Sequence, residues 1–217
     1  MATVSLDVIS DPVCPWCWIG INALKTLLST DETAIHVRMR PFLLYRSVPP
    51  GGLDRRKVYE KKMPDPEQKA AIMNALDKAA AEVGITLHLS NAARIPDAAP
   101  AQHVIRALGD GKAQFRFAFG VYEAYWSRAA EIDSPDVLSG VAEAVGIDPE
   151  QVRKIAEEPC DDTREEADAI GRAGVTGAPT YIVNGETGFA GALPAEKLRM
   201  AIDHAANLNT SNSTSAV

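Results

Sequence analysis

The chain has 217 residues, 46% of them hydrophobic, which suits one large domain or a domain carrying a sizeable insertion around a full core. A formal charge of −7 without a basic cluster argues against nucleic acid as a partner. No apolar run approaches a membrane span, so no membrane partner is expected either.

Met1-Ala2-Thr3 leads into a strand pattern with no charged or apolar leader before it, and a cytoplasmic protein is the expectation. Val4-Ser5-Leu6-Asp7-Val8 alternates apolar and polar, with Ile9 extending the apolar end, as a strand does. Beyond Cys17, the residues Ile21, Leu24, Leu27 and Leu28 recur three or four apart, so a helix can lay one face on that sheet. Between the two lies Asp11-Pro12-Val13-Cys14-Pro15-Trp16-Cys17-Trp18, a C-x-x-C where a strand hands over to a helix.

That position has a chemical consequence. Unpaired N–H groups and the helix dipole stabilise a thiolate at a helix start, lowering a cysteine pKa from about 8.5 to roughly 3.5–7.5. Cys14 is therefore the expected nucleophile, and Cys17, one turn on, the resolving thiol that attacks a mixed disulfide on Cys14. Pro15 suits a first helical turn and stiffens the intervening pair. A structural zinc would need further ligands, usually a second closely spaced pair, whereas Cys160 stands alone. His36, His88, His103 and His204 show no H-x3-5-H spacing, so no metal is expected. In a reducing compartment such a cysteine pair reads as catalytic or redox-sensing before it reads as a structural bridge.

Ala34 to Arg40 alternates again, with Ile35, Val37 and Met39 on one face and His36 on the solvated one; Ser47 to Gly52 is a loop by composition. From Leu53 to about Glu158 the pattern turns helical with little strand signal. Pro66 to Val83 is amphipathic and stops at Gly84, Pro100 to Leu108 is closed by Gly109, and Ser134-Pro135 and Asp148-Pro149 are N-cap plus N1-proline starts. Lys112 to Trp126 places Phe115, Phe119, Tyr122 and Trp126 on one stripe, suited to core packing and equally to self-association as a homodimer. The loop Ser90 to Pro96 either connects helices or lines a cleft.

Thr163 to Ala173 forms a helix, Thr180 to Val183 a strand, Asn184-Gly185 a hairpin turn, Gly188-Phe189-Ala190 the return, and Pro194 opens a last helix. Asn207 to Val217 is Asn/Ser/Thr-rich and expected to be disordered. Pro179 is either the first residue of its strand or a cis turn, and small Ala178 leaves its backbone open to an extended partner.

Taken together, the segment Asp11 to Cys17 followed by Ile19-Gly20, then Arg40-Pro41-Phe42, and Gly174-Val175-Thr176-Gly177-Ala178-Pro179-Thr180 resembles the DsbA-type thiol:disulfide oxidoreductases, in particular their FrnE-like branch. The resemblance covers nearly the whole chain apart from the tail. It implies an α/β thioredoxin fold with a helical insertion domain: residues 1–52 and 159–206 thioredoxin-like, 53–158 the insertion, and 207–217 a disordered tail. It further implies an enzyme that exchanges disulfides through the Cys14–Cys17 pair, with Pro179 a cis-proline facing it. Pro15, Trp16 and Ala178 would then lie on the substrate side with Pro179. No cofactor beyond the redox-active disulfide is implied; the partner would be a disulfide-containing protein or a small thiol, with glutathione a candidate co-substrate. Trp16 stands where periplasmic oxidants carry histidine, which points to a less oxidising pair.

A sister group on the same scaffold, the glutathione-dependent 2-hydroxychromene-2-carboxylate isomerases and kappa-class glutathione transferases, is similar in architecture but places serine where Cys14 stands. An isomerase or transferase of that type is the alternative expectation, and a zinc-binding or redox-silent module the second.

Overall fold

The computed structural model describes residues 3–30 and 35–214, with side chains described as far as Leu208. The chain opens with β1 (Val4–Ser10), α1 (Pro15–Thr30) and β2 (Ile35–Pro41). A block follows with β3 (Leu53–Asp54), α2 (Arg55–Lys62), α3 (Pro66–Glu82), β4 (Arg94–Ile95), α4 (Ala99–Ala107), α5 (Lys112–Arg128), α6 (Pro135–Ala144) and α7 (Pro149–Ala156). It closes with α8 (Asp161–Arg172), β5 (Thr180–Val183), β6 (Thr187–Ala190) and α9 (Ala195–Thr214).

The main sheet runs β2-β1-β5-β6. β1 pairs parallel with β2, from Val4 opposite Ile35 to Ser10 opposite Pro41, and antiparallel with β5. β5 and β6 form the expected hairpin, and both Asn184 and Gly185 take positive φ at its turn, the geometry that makes Asn-Gly a hairpin signal. Together with its insertion, this arrangement is the thioredoxin fold carrying helices between β2 and α8.

β1 alternates in sequence yet is buried on both faces from Leu6 to Ser10. Its polar side is covered by charge pairing: Asp7 accepts a bidentate contact from Arg38 (2.8 and 2.6 Å) and a third from Arg40 (3.2 Å), and Glu166 of α8 in turn holds Arg40 and Arg106. The outer edge of β2 is closed by α5. Met39 donates its N–H to Gln114 Oε1 (2.7 Å), and Gly111 donates to the Val37 carbonyl (2.8 Å). A buried amide thus completes the ladder that an edge strand would leave open.

Two expectations are corrected and a third is refined. The 53–158 block is not all helix, because β3 and β4 pair as a two-residue antiparallel ladder, Leu53 opposite Ile95 and Asp54 opposite Arg94. Such a ladder is too short to register as alternation. Gly52 permits it, since a Cβ there would lie 2.7 Å from the Ile95 carbonyl oxygen. The final helix does not stop at residue 206 either: α9 runs on to Thr214, because extending a helix already held by packing costs far less than starting one. Of the expected disordered tail, 215–217 lie outside the described residues, as do Met1, Ala2 and Ala34. Lastly, the aromatic stripe of α5 packs mostly inward: Phe115, Tyr122 and Trp126 are buried, Trp18 stacks on Tyr122 with ring centroids 6.3 Å apart, and Phe119 keeps part of its surface exposed.

Asp54, Asp65 and Asp148 cap α2, α3 and α7 through their carboxylates, and Pro66 and Pro149 open two of these helices. One continuous core joins Leu6, Val8 and Met39 of the sheet, Trp18 and Leu24 of α1, and Val104, Phe117 and Tyr122 of the inserted helices. The insertion and the sheet share their interior.

Candidate redox site

The loop between β1 and α1 is tied down at nearly every peptide unit. Asp11 turns its carboxylate back on the chain, accepting from the Val13 N–H (2.9 Å) and from the Leu44 N–H (2.6 Å) beyond β2. Cys14 N–H donates to the Asp11 carbonyl (3.0 Å), closing a turn. From the insertion, Trp126 Nε1 donates to the Pro12 carbonyl (2.9 Å) and Arg55 Nη2 to the Val13 carbonyl (3.3 Å). α1 begins at Pro15, and the Trp18 N–H donates to the Cys14 carbonyl (3.1 Å), so Cys14 is the N-cap of the helix.

This position separates the two thiols chemically. The Cys14 thiol is held below the ordinary value chiefly by a hydrogen bond from the Cys17 thiol, with the Cys17 and Trp16 N–H groups adding to it; burial and the nearby Asp11 charge oppose the shift. Cys17 is fully buried and pushed well above its ordinary value, first by that burial, then by its bond to Cys14 and repulsion from it. The pair offers one sulfur poised as a thiolate and one held as a thiol, an asymmetry suited to directed attack followed by release. Cys14 Sγ lies 3.8 Å from the Ala178 carbonyl oxygen, and the Ala178–Pro179 peptide bond is cis.

Of the residues singled out from sequence, Cys14, Cys17, Ala178 and Pro179 converge here, from positions 164 residues apart in the Cys14–Ala178 case. Pro15 and Pro179 are buried, whereas Trp16 and Ala178 keep part of their surface exposed. Cys160 sits apart as the residue preceding α8, with its thiol pointed at the Glu158 carbonyl (3.7 Å) and pushed up by burial. Among the described residues no three His, Cys, Asp or Glu side chains gather as a metal-binding group.

Three further groups went unassigned from sequence. Asp11 is 1% exposed and its carboxyl is pushed up to about 6 by burial, against the pull of its two N–H donors; its own N–H reaches Cys17 Sγ at 3.5 Å. A titratable carboxyl therefore lies behind the resolving thiol. Its one visible signal was an aspartate three residues ahead of the first cysteine. Arg55 is 3% exposed and bonds to Ala92, Val13, Tyr59 and Tyr125. Beside Arg56 in sequence, nothing marks it as the inward one. Tyr181 packs its buried hydroxyl against Gly20, where a Cβ would lie 2.6 Å from it, and that hydroxyl has no hydrogen-bond partner among the described residues.

Residues 5–203 match the family model described as DSBA-like thioredoxin domain. The chain belongs to the DSBA-like thioredoxin family. The FrnE-like placement within the DSBA-like family rests on the motifs quoted from the sequence. An uncharacterized protein of Bacillus subtilis (strain 168), YwbO, is 25% identical over 203 residues, 92% of this chain and 96% of its own. Among solved structures, a probable DsbA oxidoreductase from Streptomyces coelicolor superposes with a TM-score of 0.76 at 21% identity, over 94% of this chain and 90% of its own. A 2-hydroxychromene-2-carboxylate isomerase gives 0.67 at 17% identity, over 98% and 100%. The cytosolic disulfide reductase DsbM from Pseudomonas aeruginosa gives 0.61 at 16% identity, over 97% and 99%, and its structure with GSH gives 0.56 at 18%. At these identities the solved structures speak for the fold. Among the described residues no helix is long and apolar enough to cross a membrane.

Proposed function

We propose that this DSBA-like protein is a thiol:disulfide oxidoreductase working through Cys14 and Cys17. The observation that carries the reading is the inequality of the two thiols: Cys14 caps α1 with a lowered pKa, while Cys17 lies buried behind it with a raised one. In the reducing direction, the Cys14 thiolate attacks one sulfur of a substrate disulfide; that bond breaks, and the departing sulfur takes up a proton. Cys17 then loses its proton and attacks Cys14 Sγ, releasing the second substrate thiol and leaving an intramolecular disulfide. The substrate gains two electrons and the protein loses two. Two equivalents of a small thiol restore the dithiol, and glutathione is the candidate, a choice supported by the structure of DsbM, on a similar fold, with GSH. Trp16 and Ala178, the partly exposed neighbours of the sulfurs, form the substrate side with Pro15 and Pro179 beneath them. A reducing, cytoplasmic setting fits this direction of flow.

The isomerase architecture is the same, yet a cysteine in place of serine at position 14, paired with Cys17, favours exchange over isomerisation. The test is equilibration across glutathione redox buffers, an alkylating quench and intact mass. We expect a two-thiol transition that disappears in Cys14→Ser, and a trapped mixed disulfide on Cys14 in Cys17→Ser. Exchange retained by Cys14→Ser would refute the proposal.

A further inference from the structure

A cleft of about 780 Å³ lies between α2, α3 and the β3–β4 ladder. Its volume suits a small organic ligand. The chain as a whole carries −7, yet this lining holds Arg55, Arg56, Lys69 and Arg94 against a single carboxylate, Asp54. Asp54 is occupied in capping α2, accepting from the Lys57 N–H at 3.2 Å. Arg94 is matched by Asp133 (3.0 and 2.5 Å). The other three have no carboxylate partner within the lining. Arg55 is the unusual one: a guanidinium 3% exposed whose hydrogen-bond partners are carbonyls and phenols, so its charge meets no counter-ion in contact. A buried cation with no carboxylate in contact, and with the buried Asp11 acting on it only through space, lies under an open cleft edged by two more cations, a setting that favours an anion.

Two links join the cleft to the sulfurs. Arg55 donates to the Val13 carbonyl, one residue before Cys14, and Met73 of the lining packs with Trp16 on the cluster of Ile19, Leu76 and Ala80. We infer that the cleft holds the carboxylate end of a small anionic thiol or disulfide whose sulfur is presented to Cys14, with the exposed Arg56 and the half-buried Lys69 as its binding residues. This assignment deepens the proposed exchange activity and rests on it. It makes the preferred small substrate an acidic one, distinguished from neutral disulfides by charge.

The test compares glutathione disulfide with the neutral bis(2-hydroxyethyl) disulfide as oxidants of the reduced protein, followed by tryptophan fluorescence at low and high salt. The double variant Arg56→Gln/Lys69→Gln should lower the ratio of the anionic to the neutral rate constant by about tenfold, about threefold for each charge removed. Salt should lower the same ratio in the unaltered protein, and Arg56→Lys/Lys69→Arg should restore it. A ratio unmoved by the double variant overturns the assignment while leaving exchange intact. Calorimetry of glutathione disulfide with Cys14→Ser, which binds without exchanging, separates the two readings. If neither disulfide oxidises the protein, the exchange reading fails and calorimetry decides the cleft. Binding weakened about tenfold by the added Arg56→Gln/Lys69→Gln pair upholds it. Binding that is absent or indifferent to those charges overturns it.

Discussion

Replacing Asp11 by Asn tests the electrostatics behind the resolving thiol. The Asp11 carboxyl holds its proton more tightly in the folded protein, at about 6, than at its ordinary value of 3.8. Its contribution to stability is therefore fully present below pH 3.8 and is lost as pH rises through about 6. The gap corresponds to about 3 kcal/mol in full. About 2 kcal/mol of that falls between about pH 4.5 and 7.5, where denaturant titration is practical. Asn is close in shape to the protonated acid and carries no charge to bury. Urea unfolding of both proteins, kept reduced throughout, should put the variant about 1 kcal/mol ahead at the acid end, where the carboxyl has already begun to lose its contribution. At the neutral end the lead should grow to about 3 kcal/mol, both values less any cost of turning an amide donor toward the Val13 or Leu44 N–H. A difference between the two proteins that stays constant within about 0.5 kcal/mol across this range would refute the reasoning, since an indifferent carboxyl titrates alike folded and unfolded.

Because the Cys17 thiol is the largest influence lowering Cys14, Cys17→Ala should move the pH profile of Cys14 alkylation to the alkaline side, and an unmoved profile would count against it. Gly20→Ala should cost about 1–3 kcal/mol through overlap with the Tyr181 hydroxyl. That cost should shrink in a Tyr181→Phe background, where the unpartnered hydroxyl is gone, as a double-mutant cycle would read. Arg55→Lys should destabilise by about 3 kcal/mol, because one ammonium cannot span the two carbonyls and two phenols the guanidinium bridges, and chemical unfolding would measure it.

What was legible in the sequence was whatever repeats along it. The alternation of Ile35, Val37 and Met39, the spacing of Ile21, Leu24 and Leu27, and the Asp148-Pro149 cap each report a local period or a local bond, while Ser134 before Pro135 marks its helix start without a side-chain bond. Cys14 at a helix start was legible for the same reason. Contacts made across the chain left no such trace. Gln114 completing the edge of β2 and Arg55 gripping Val13 reach 75 and 42 residues back, and polar residues on helices ordinarily read as solvent-facing. The extension of α9 past Asn207 contradicts residue preference outright, since packing upstream carries a helix into a stretch that would not start one.

The way the redox loop is gripped has a consequence for any attempt to simplify this scaffold. Its Pro12 and Val13 carbonyls are satisfied by Trp126 and Arg55, both contributed by the inserted block. Excising residues 53–158 and rejoining the ends would strip both donors from the segment that presents the nucleophile, and would uncover the Met39 edge as well. The pruned chain would keep its cysteine pair but lose the frame that aims it, so a miniature redox module would have to be redesigned at that loop first.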